Sequence, residues 1–509
     1  MDTATRRNRL APISMVLPAI AVAAFVHLPG LLNTRPLDDD ETYLASMGKM
    51  LRAGDVLYRD VIDRKPPLVI WAYQFLVPQS WDMRPIRVVT TLLIALNGVV
   101  LYSIAKRLGL SHNGARTAGA LAIIGSALAG FSDAQAANFE VWGLPAASAS
   151  VLCALIATNF QASFARFSGI FASGALAGVA TNCKQPYVFT LIVIALIFPR
   201  GHRVLRSTIA TAGLLTVTGL VAILSGWARY WKWVWFENGD YINIGGATLA
   251  TLAVRQCLVF MLVQWPLSTT VLASLRTTTA KIHHPTPEQL VARRIGFLWF
   301  AAAMLGVASG LRFFGHYFQQ CVPPLALLAA TALDAQHQRA RRRTAIAAGF
   351  APLLWTLAWV PGFAGLDAAP PALARGVAEQ TAPNDRVLIW GRLPDAAAQA
   401  RRTPTGRFVH QAYLTGSWAS VDGVADPAET APYAQRWNQY LAGLVQAPPA
   451  IIVDASPIVE GWQRYSIDRL PLQRLIDVCY RPIEDIDKLH AYKRTGSSCA
   501  AAVSRRGDS

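Results

Sequence analysis

Eight of the chain's acidic side chains crowd one stretch, residues 34–85: Asp38, Asp39, Asp40, Glu41, Asp55, Asp60, Asp63 and Asp82. Arg64 and Lys65 stand among them, directly before the pair Pro66-Pro67. A carboxylate in hydrogen-bond reach of a hydroxyl is the usual general base, and a lysine or arginine beside it can hold an anionic group. Two prolines after Lys65 keep its backbone extended, so the ammonium has a defined place. Further acids and cations stand singly downstream: Glu140, Lys184, and Arg312 with His316 four residues on. Spacing of four puts Arg312 and His316 on one face of a helix, where a guanidinium fork and an imidazole could meet one anion. Plainer readings exist for each. Asp38 or Asp39 can be helix caps, Lys65 and Lys184 snorkelling anchors, Glu140 the partner of an outer-loop arginine, and His316 a satisfied interfacial residue.

These residues need elements to position them, and composition says which kind. The 509 residues are 53% hydrophobic and 15% charged, against about 25% charged in soluble domains, which excludes an ordinary soluble protein. A net charge of +17 first suggests a polyanion partner. Its distribution points elsewhere: residues 1–364 hold 31 basic and 15 acidic side chains, residues 365–509 hold 16 and 15. The excess therefore flanks apolar spans and orients them, and nucleic acid is not an expected partner.

A helix needs about 20 apolar residues to cross a bilayer. Eleven runs approach that length: 11–32, 86–105, 115–131, 141–160, 167–182, 186–199, 207–226, 249–272, 295–311, 316–333 and 344–363. The fifth and sixth are short, yet together too long for one helix, which predicts a hairpin turning at Thr181 to Gln185. Arg6, Arg7 and Arg9 precede the first run without a small-residue cleavage site, so it reads as a retained anchor. With the N-terminus inside, only Asp2, Glu288 and Asp334 join the inner basic residues, and the other twelve acids of residues 1–364 lie outside.

In the outer loop 34–85, Tyr43, Leu44, Met47, Met50 and Leu51 repeat at helical spacing, which predicts an amphipathic helix lying on the membrane surface. The apolar stretch 69–77 predicts a second interfacial segment. Trp227 to Gly246 is dense in aromatics, an interfacial belt or a sugar or isoprenoid contact with Glu237 and Asp240 at hand. From residue 365 the strand-like segments 385–391 and 450–454, with a helix at 433–445 between them, predict a small α/β domain without a nucleotide-binding fingerprint. Asp454 at a strand end reads as a cap. The six cysteines lack metal spacing, while Cys479 and Cys499 share the exported domain and can pair there. The predicted architecture is a polytopic α-helical membrane protein of about eleven transmembrane helices, N-terminus in and C-terminus out. Residues 1–364 form its membrane catalytic domain and 365–509 a soluble α/β domain.

The stretch Asp39-Asp40-Glu41-Thr42-Tyr43-Leu44, followed by Gly54, Tyr58, Asp60 and Lys65-Pro66-Pro67-Leu68, resembles the first outer loop of the GT-C glycosyltransferases related to protein O-mannosyltransferases. Bacterial relatives include lipid A aminoarabinose transferases and rhizobial galacturonosyltransferases. The resemblance continues in Asn138-Phe139-Glu140, in Lys184-Gln185-Pro186, and in Arg312 to Phe318 before Pro323-Pro324, covering roughly residues 10–364. It implies a GT-C-like fold and transfer of a sugar, with inversion, from a polyprenyl-phosphate donor to a lipid, lipopolysaccharide or envelope-glycan acceptor. The reaction is expected at the periplasmic face of a bacterial inner membrane; the chain also has no N-x-Ser/Thr sequon.

By that resemblance Asp40 is the base that takes the acceptor proton, and Glu41 and Glu140 are the other catalytic acids. Lys65, Lys184, Arg312 and His316 hold the donor phosphate, and Tyr43, Tyr58 and Tyr317 touch substrate. Asp38 and Asp39 precede the expected acidic pair, which leaves the register of the catalytic acid open. No cofactor is implied, and a divalent metal stays open. Expected partners are the lipid-linked sugar, its acceptor and membrane lipids. Protein O-glycosylation is the nearest alternative; others are a carrier or flippase for lipid-linked sugars and an assembly partner without activity.

Overall fold

The computed structural model describes residues 13–237, 241, 246–279, 286–334, 346–347, 350, 372–418, 423–496 and 499. Packing separates the chain into two compact units, one of residues 1–33, 86–224 and 245–365, the other of 34–85, 225–244 and 366–509. Composition changes at 365, but packing puts the acidic loop and the aromatic stretch 225–244 with the C-terminal residues.

The first unit is helical. Among the described residues six helices are long and apolar enough to cross a membrane: Arg84–Arg107, Phe139–Ala157, Ser163–Cys183, Arg200–Ser225, Gly246–Val263 and Pro287–Ser309. Other expected spans are shorter or broken, each break at an identifiable residue. The first run divides at His27 into helices Val16–Val26 and Leu28–Leu32, and His27 Nε2 lies 3.1 Å from Ser126 Oγ. The fifth and sixth turn where their lengths demanded. Lys184 is extended (φ −154°) between helix Ser163–Cys183 and the 3-10 segment Gln185–Phe189, after which helix Thr190–Ile197 follows.

The eighth run divides at Gln264, whose Nε2 donates to the Gly125 and Leu128 carbonyls, both at 2.7 Å, before helix Trp265–Thr279. The tenth begins as a 3-10 segment, Gly315–Cys321, and continues as helix Val322–Asp334. Pro186, Pro266 and Pro323 all sit at restarts, where a missing N–H costs no helical bond. The eleventh run, 344–363, lies mostly outside the described residues. Helices Ser163–Cys183 and Arg203–Ser225 meet backbone to backbone: a Cβ on Gly174 would overlap the Ala210 carbonyl. Such small-residue contacts let dispersion replace the hydrophobic drive that lipid removes.

The second unit combines helices with a five-stranded sheet, order β2-β1-β3-β5-β4, where β1 is Arg386–Trp390, β2 Thr403–Pro404, β3 Ile451–Asp454, β4 Tyr480–Pro482 and β5 Ala491–Arg494. β1 runs parallel to β2 and β3, and β5 antiparallel to β3 and β4. The segments read as strands are β1 and β3, and the helix between them is Tyr433–Gln446. Asp454 caps: it accepts from Ser456 N–H at 3.0 Å and Ile467 N–H at 2.9 Å. Cys479 and Cys499 are buried free thiols in hydrogen-bond contact, and burial pushes Cys479 up to about 12.

One expectation changes here. The helix read as lying on the membrane surface is Asp39–Arg52, and every residue from Glu41 to Leu51 is buried within the unit. Its polar positions have protein partners: Thr42 Oγ1 bonds Asp395 Oδ1 at 2.6 Å, and Lys49 bonds the Pro78 carbonyl and, at 3.1 Å, Gln79 Oε1. Amphipathic spacing shows that one face is apolar; it does not show that the other face is wet. Further ties run from Arg386 Nη1 to Asp55 at 2.6 Å and from Ile62 N–H to the Arg407 carbonyl at 2.9 Å.

Candidate active site

In the second unit Asp38 is the cap of helix Asp39–Arg52 and accepts the Glu41 N–H at 2.7 Å. Asp39, Asp40 and Glu41 therefore occupy the first turn, where the helix dipole favours carboxylates. Glu41 folds back and accepts the Leu37 N–H at 2.8 Å, as in a capping box, with its side chain fully buried. Asp40 projects instead to Lys65, whose Nζ donates to its Oδ1 at 2.7 Å. With side-chain exposures of 25% and 11%, both groups are desolvated yet reachable.

Lys65 is held from three sides. Its N–H donates to Asp63 Oδ1 at 3.0 Å, its carbonyl accepts the Tyr58 hydroxyl at 2.7 Å, and Pro66 continues extended (ψ 156°) into helix Pro67–Leu76. Tyr58 is fully buried with φ 62°, so in this fold it fixes the lysine's backbone. Tyr43 stacks on His410 with centroids 4.6 Å apart. His410 lies against Trp418 at 4.7 Å, and Arg64 covers the Tyr241 and Trp418 rings at 3.5 and 4.9 Å.

Sequence reasoning missed Arg392, Asp395 and His410, which carry no local signal and lie some 350 residues from Asp40 in the chain. Burial raises the Asp39 carboxyl, opposed by Arg392, and burial also raises Asp395, aided by Asp39 and Glu41. Burial pushes His410 well below its ordinary range, helped by Arg392, Arg64 and Lys65, so its imidazole is neutral.

A stability prediction follows from the raised carboxyls. When folded they keep protons to higher pH than when unfolded, so their stabilising contribution is complete below the unfolded value of 3.8 and is lost as pH rises through the folded value. Asp395→Asn should therefore flatten the change in thermal unfolding midpoint between about pH 4 and about pH 7. An unchanged profile would remove Asp395 from this role.

In the first unit Glu140 opens helix Phe139–Ala157 and forms an ion pair with Lys184, at side-chain exposures of 2% and 7%. The expected arginine partner of Glu140 is thus a lysine, and Lys184 does not snorkel outward. Its ammonium lies 3.9 Å from the Tyr317 ring and 5.8 Å from that of Phe139. The Tyr187 hydroxyl donates to the Glu140 carbonyl at 2.6 Å, fixing the turn that carries the acid. A charge at membrane depth costs about 3 kcal/mol even by lenient scales, and pairing with the cation–π contacts offsets that cost.

Arg312 is wholly buried, and His316 lies on the 3-10 segment with its Nδ1 3.1 Å from Asp133 Oδ1. The shared α-helical face expected for these two is not formed. Leu311 and Phe313 take left-handed conformations (φ 53° and 49°) and Phe314 is extended, so four residues no longer make one turn. Among the described residues no three His, Cys, Asp or Glu side chains gather as a metal site.

A family model described as dolichyl-phosphate-mannose-protein mannosyltransferase matches residues 64–227. No curated protein sequence matches the chain. Among solved structures, ArnT from Cupriavidus metallidurans in the apo state is similar at TM-score 0.59 and 15% identity, over 94% of this chain and 98% of that one. The same protein bound to undecaprenyl phosphate is similar at 0.54 and 15%, over 95% and 98%. The Archaeoglobus fulgidus oligosaccharyltransferase in the apo form is similar at 0.50 and 12%, over 95% and 74%. At such identities the likeness is one of fold, and it extends over both units. Motif order and the family match over residues 64–227 agree with the fold, which is that of the GT-C glycosyltransferases.

Proposed function

We propose that the protein is a membrane glycosyltransferase that moves a sugar from a polyprenyl-phosphate donor to a lipid, lipopolysaccharide or envelope-glycan acceptor at the periplasmic face of an inner membrane. The observation that carries this reading is the Asp40–Lys65 pair: a carboxylate at a helix N-terminus, held 2.7 Å from an ammonium and still reachable. The similar ArnT structure that holds undecaprenyl phosphate supports the donor class.

Asp40 accepts the proton of the acceptor hydroxyl as that oxygen attacks the anomeric carbon from the side opposite the phosphate. The carbon–oxygen bond to phosphate breaks, and the phosphate leaves with the electron pair. One displacement inverts the centre. Lys65 aims Asp40 and sets positive charge beside it; within the first unit, Lys184, Arg312 and His316 are the groups proposed to hold a lipid phosphate.

The test is mass spectrometry of lipid co-purifying with the protein, joined to analysis of envelope glycans from a deletion strain. A polyprenyl phosphate or its glycosylated form, and a glycan short by one sugar, are expected. Loss confined to protein-linked sugar would favour the protein acceptor. Intact glycans with no phospholipid carrier bound would sink the proposal.

A further inference from the structure

Asp133 counts in the sequence only as one of the twelve outer acids, but the fold gives it a specific partner. Its Oδ1 accepts the backbone N–H of His316 at 2.9 Å and lies 3.1 Å from the ring Nδ1. The residue before the histidine is Gly315, and a Cβ there would fall on the Asp133 carboxylate. A side chain at 315 would therefore have to displace that carboxylate. Gln319 adds a second tie: its Nε2 donates to the Asp133 carbonyl at 3.2 Å and to the Ser126 carbonyl at 2.9 Å. These bonds join the short helix Phe131–Gln135 to the segment Gly315–Cys321. The imidazole is also confined by its neighbours, stacked on Phe314 at 5.7 Å and met edge-on by Tyr317 at 5.0 Å.

An ionised carboxylate only accepts, so the proton on this side of the ring sits on Nδ1 and Nε2 is the nitrogen presented elsewhere. A ring held at its backbone, at Nδ1 and by two aromatic neighbours has one orientation. We infer that Asp133 is a positioning residue for His316, setting the ring so that Nε2, as a donor in the imidazolium form that the acid favours, meets the phosphate of the polyprenyl donor. The inference rests on the proposed function, because it needs a phosphate there. It adds that the histidine's contribution depends on an acid 183 residues away in sequence.

The experiment uses the full-length protein in detergent micelles, titrated with undecaprenyl phosphate and separately with undecaprenol, which lacks the phosphate. Asp133→Asn and His316→Gln should each weaken undecaprenyl phosphate binding about tenfold, the worth of one charge-assisted hydrogen bond, and leave undecaprenol binding unchanged. The double variant should bind no more weakly than His316→Gln alone, because the acid acts through the ring. Asp133→Glu should recover most of the loss, and Gly315→Ala, which drives the carboxylate away, should reproduce Asp133→Asn. Wild-type affinity in Asp133→Asn, additive losses in the double variant, or parallel losses for both lipids would overturn the assignment. Wild-type protein that does not prefer the phosphate over the alcohol would overturn the transferase reading and this assignment with it; a preference undiminished in Asp133→Asn overturns the assignment alone.

Discussion

Sugar transfer by the Asp40→Asn protein is expected to fall by about two to four orders of magnitude, the usual worth of a positioned general base. Asparagine keeps the shape of the side chain and can still accept the Lys65 ammonium through its amide oxygen, so the 2.7 Å contact survives. What it cannot do is take a proton. Donor binding should therefore change little while turnover collapses. Neighbouring acids give the contrast that settles the register left open by the run Asp38 to Glu41. Glu41→Gln loosens a cap and should cost about 1 kcal/mol of stability with a modest effect on rate, because Glu41 faces the Leu37 N–H. Asp39→Asn should also be mild, since burial already disfavours its ionised form. Initial rates at matched concentrations of folded protein measure all three. Full transfer by Asp40→Asn, or a greater loss in Asp39→Asn, would move the base elsewhere.

Lys184→Met should destabilise the protein by about 3–5 kcal/mol, because it leaves Glu140 charged and uncompensated inside the first unit. The double variant Lys184→Met with Glu140→Gln should regain most of that loss, since a neutral amide is far cheaper to bury than a lone carboxylate. Both should bind undecaprenyl phosphate weakly if Lys184 serves the donor. Chemical unfolding in micelles reads the stability, and lipid titration reads the binding. A snorkelling lysine would give neither effect. A double variant as unstable as the single one would show that the two charges are not coupled.

Much of this arrangement was written locally. Apolar run lengths located the six long helices among the described residues, and the combined length of two runs located the break at Lys184. The Lys65-Pro66-Pro67 triplet announced an ammonium with a fixed backbone. Partners were less legible than places. Glu140 and Lys184 each stood out alone, but their pairing spans 44 residues, and no helical or strand period carries that information. Helix Asp39–Arg52 looked like a surface helix because the groups that cover its polar side, Asp395 and His410, come from a segment whose composition is that of any soluble domain. Arg312 and His316 were misjudged for a different reason: spacing of four means one face only if the backbone is helical, and two left-handed residues break that premise.

The second unit is built from three stretches, and its first waits for its last. Thr42 and Asp395 are 353 residues apart, which at ribosome speeds of about 5–20 residues per second is roughly 20 to 70 s of synthesis. During that interval the helix that carries Asp40 exists without the groups that bury it. The nascent chain therefore has no finished carboxylate site until Asp395 has been made. Products that stop short of Asp395 should leave that helix without its cover.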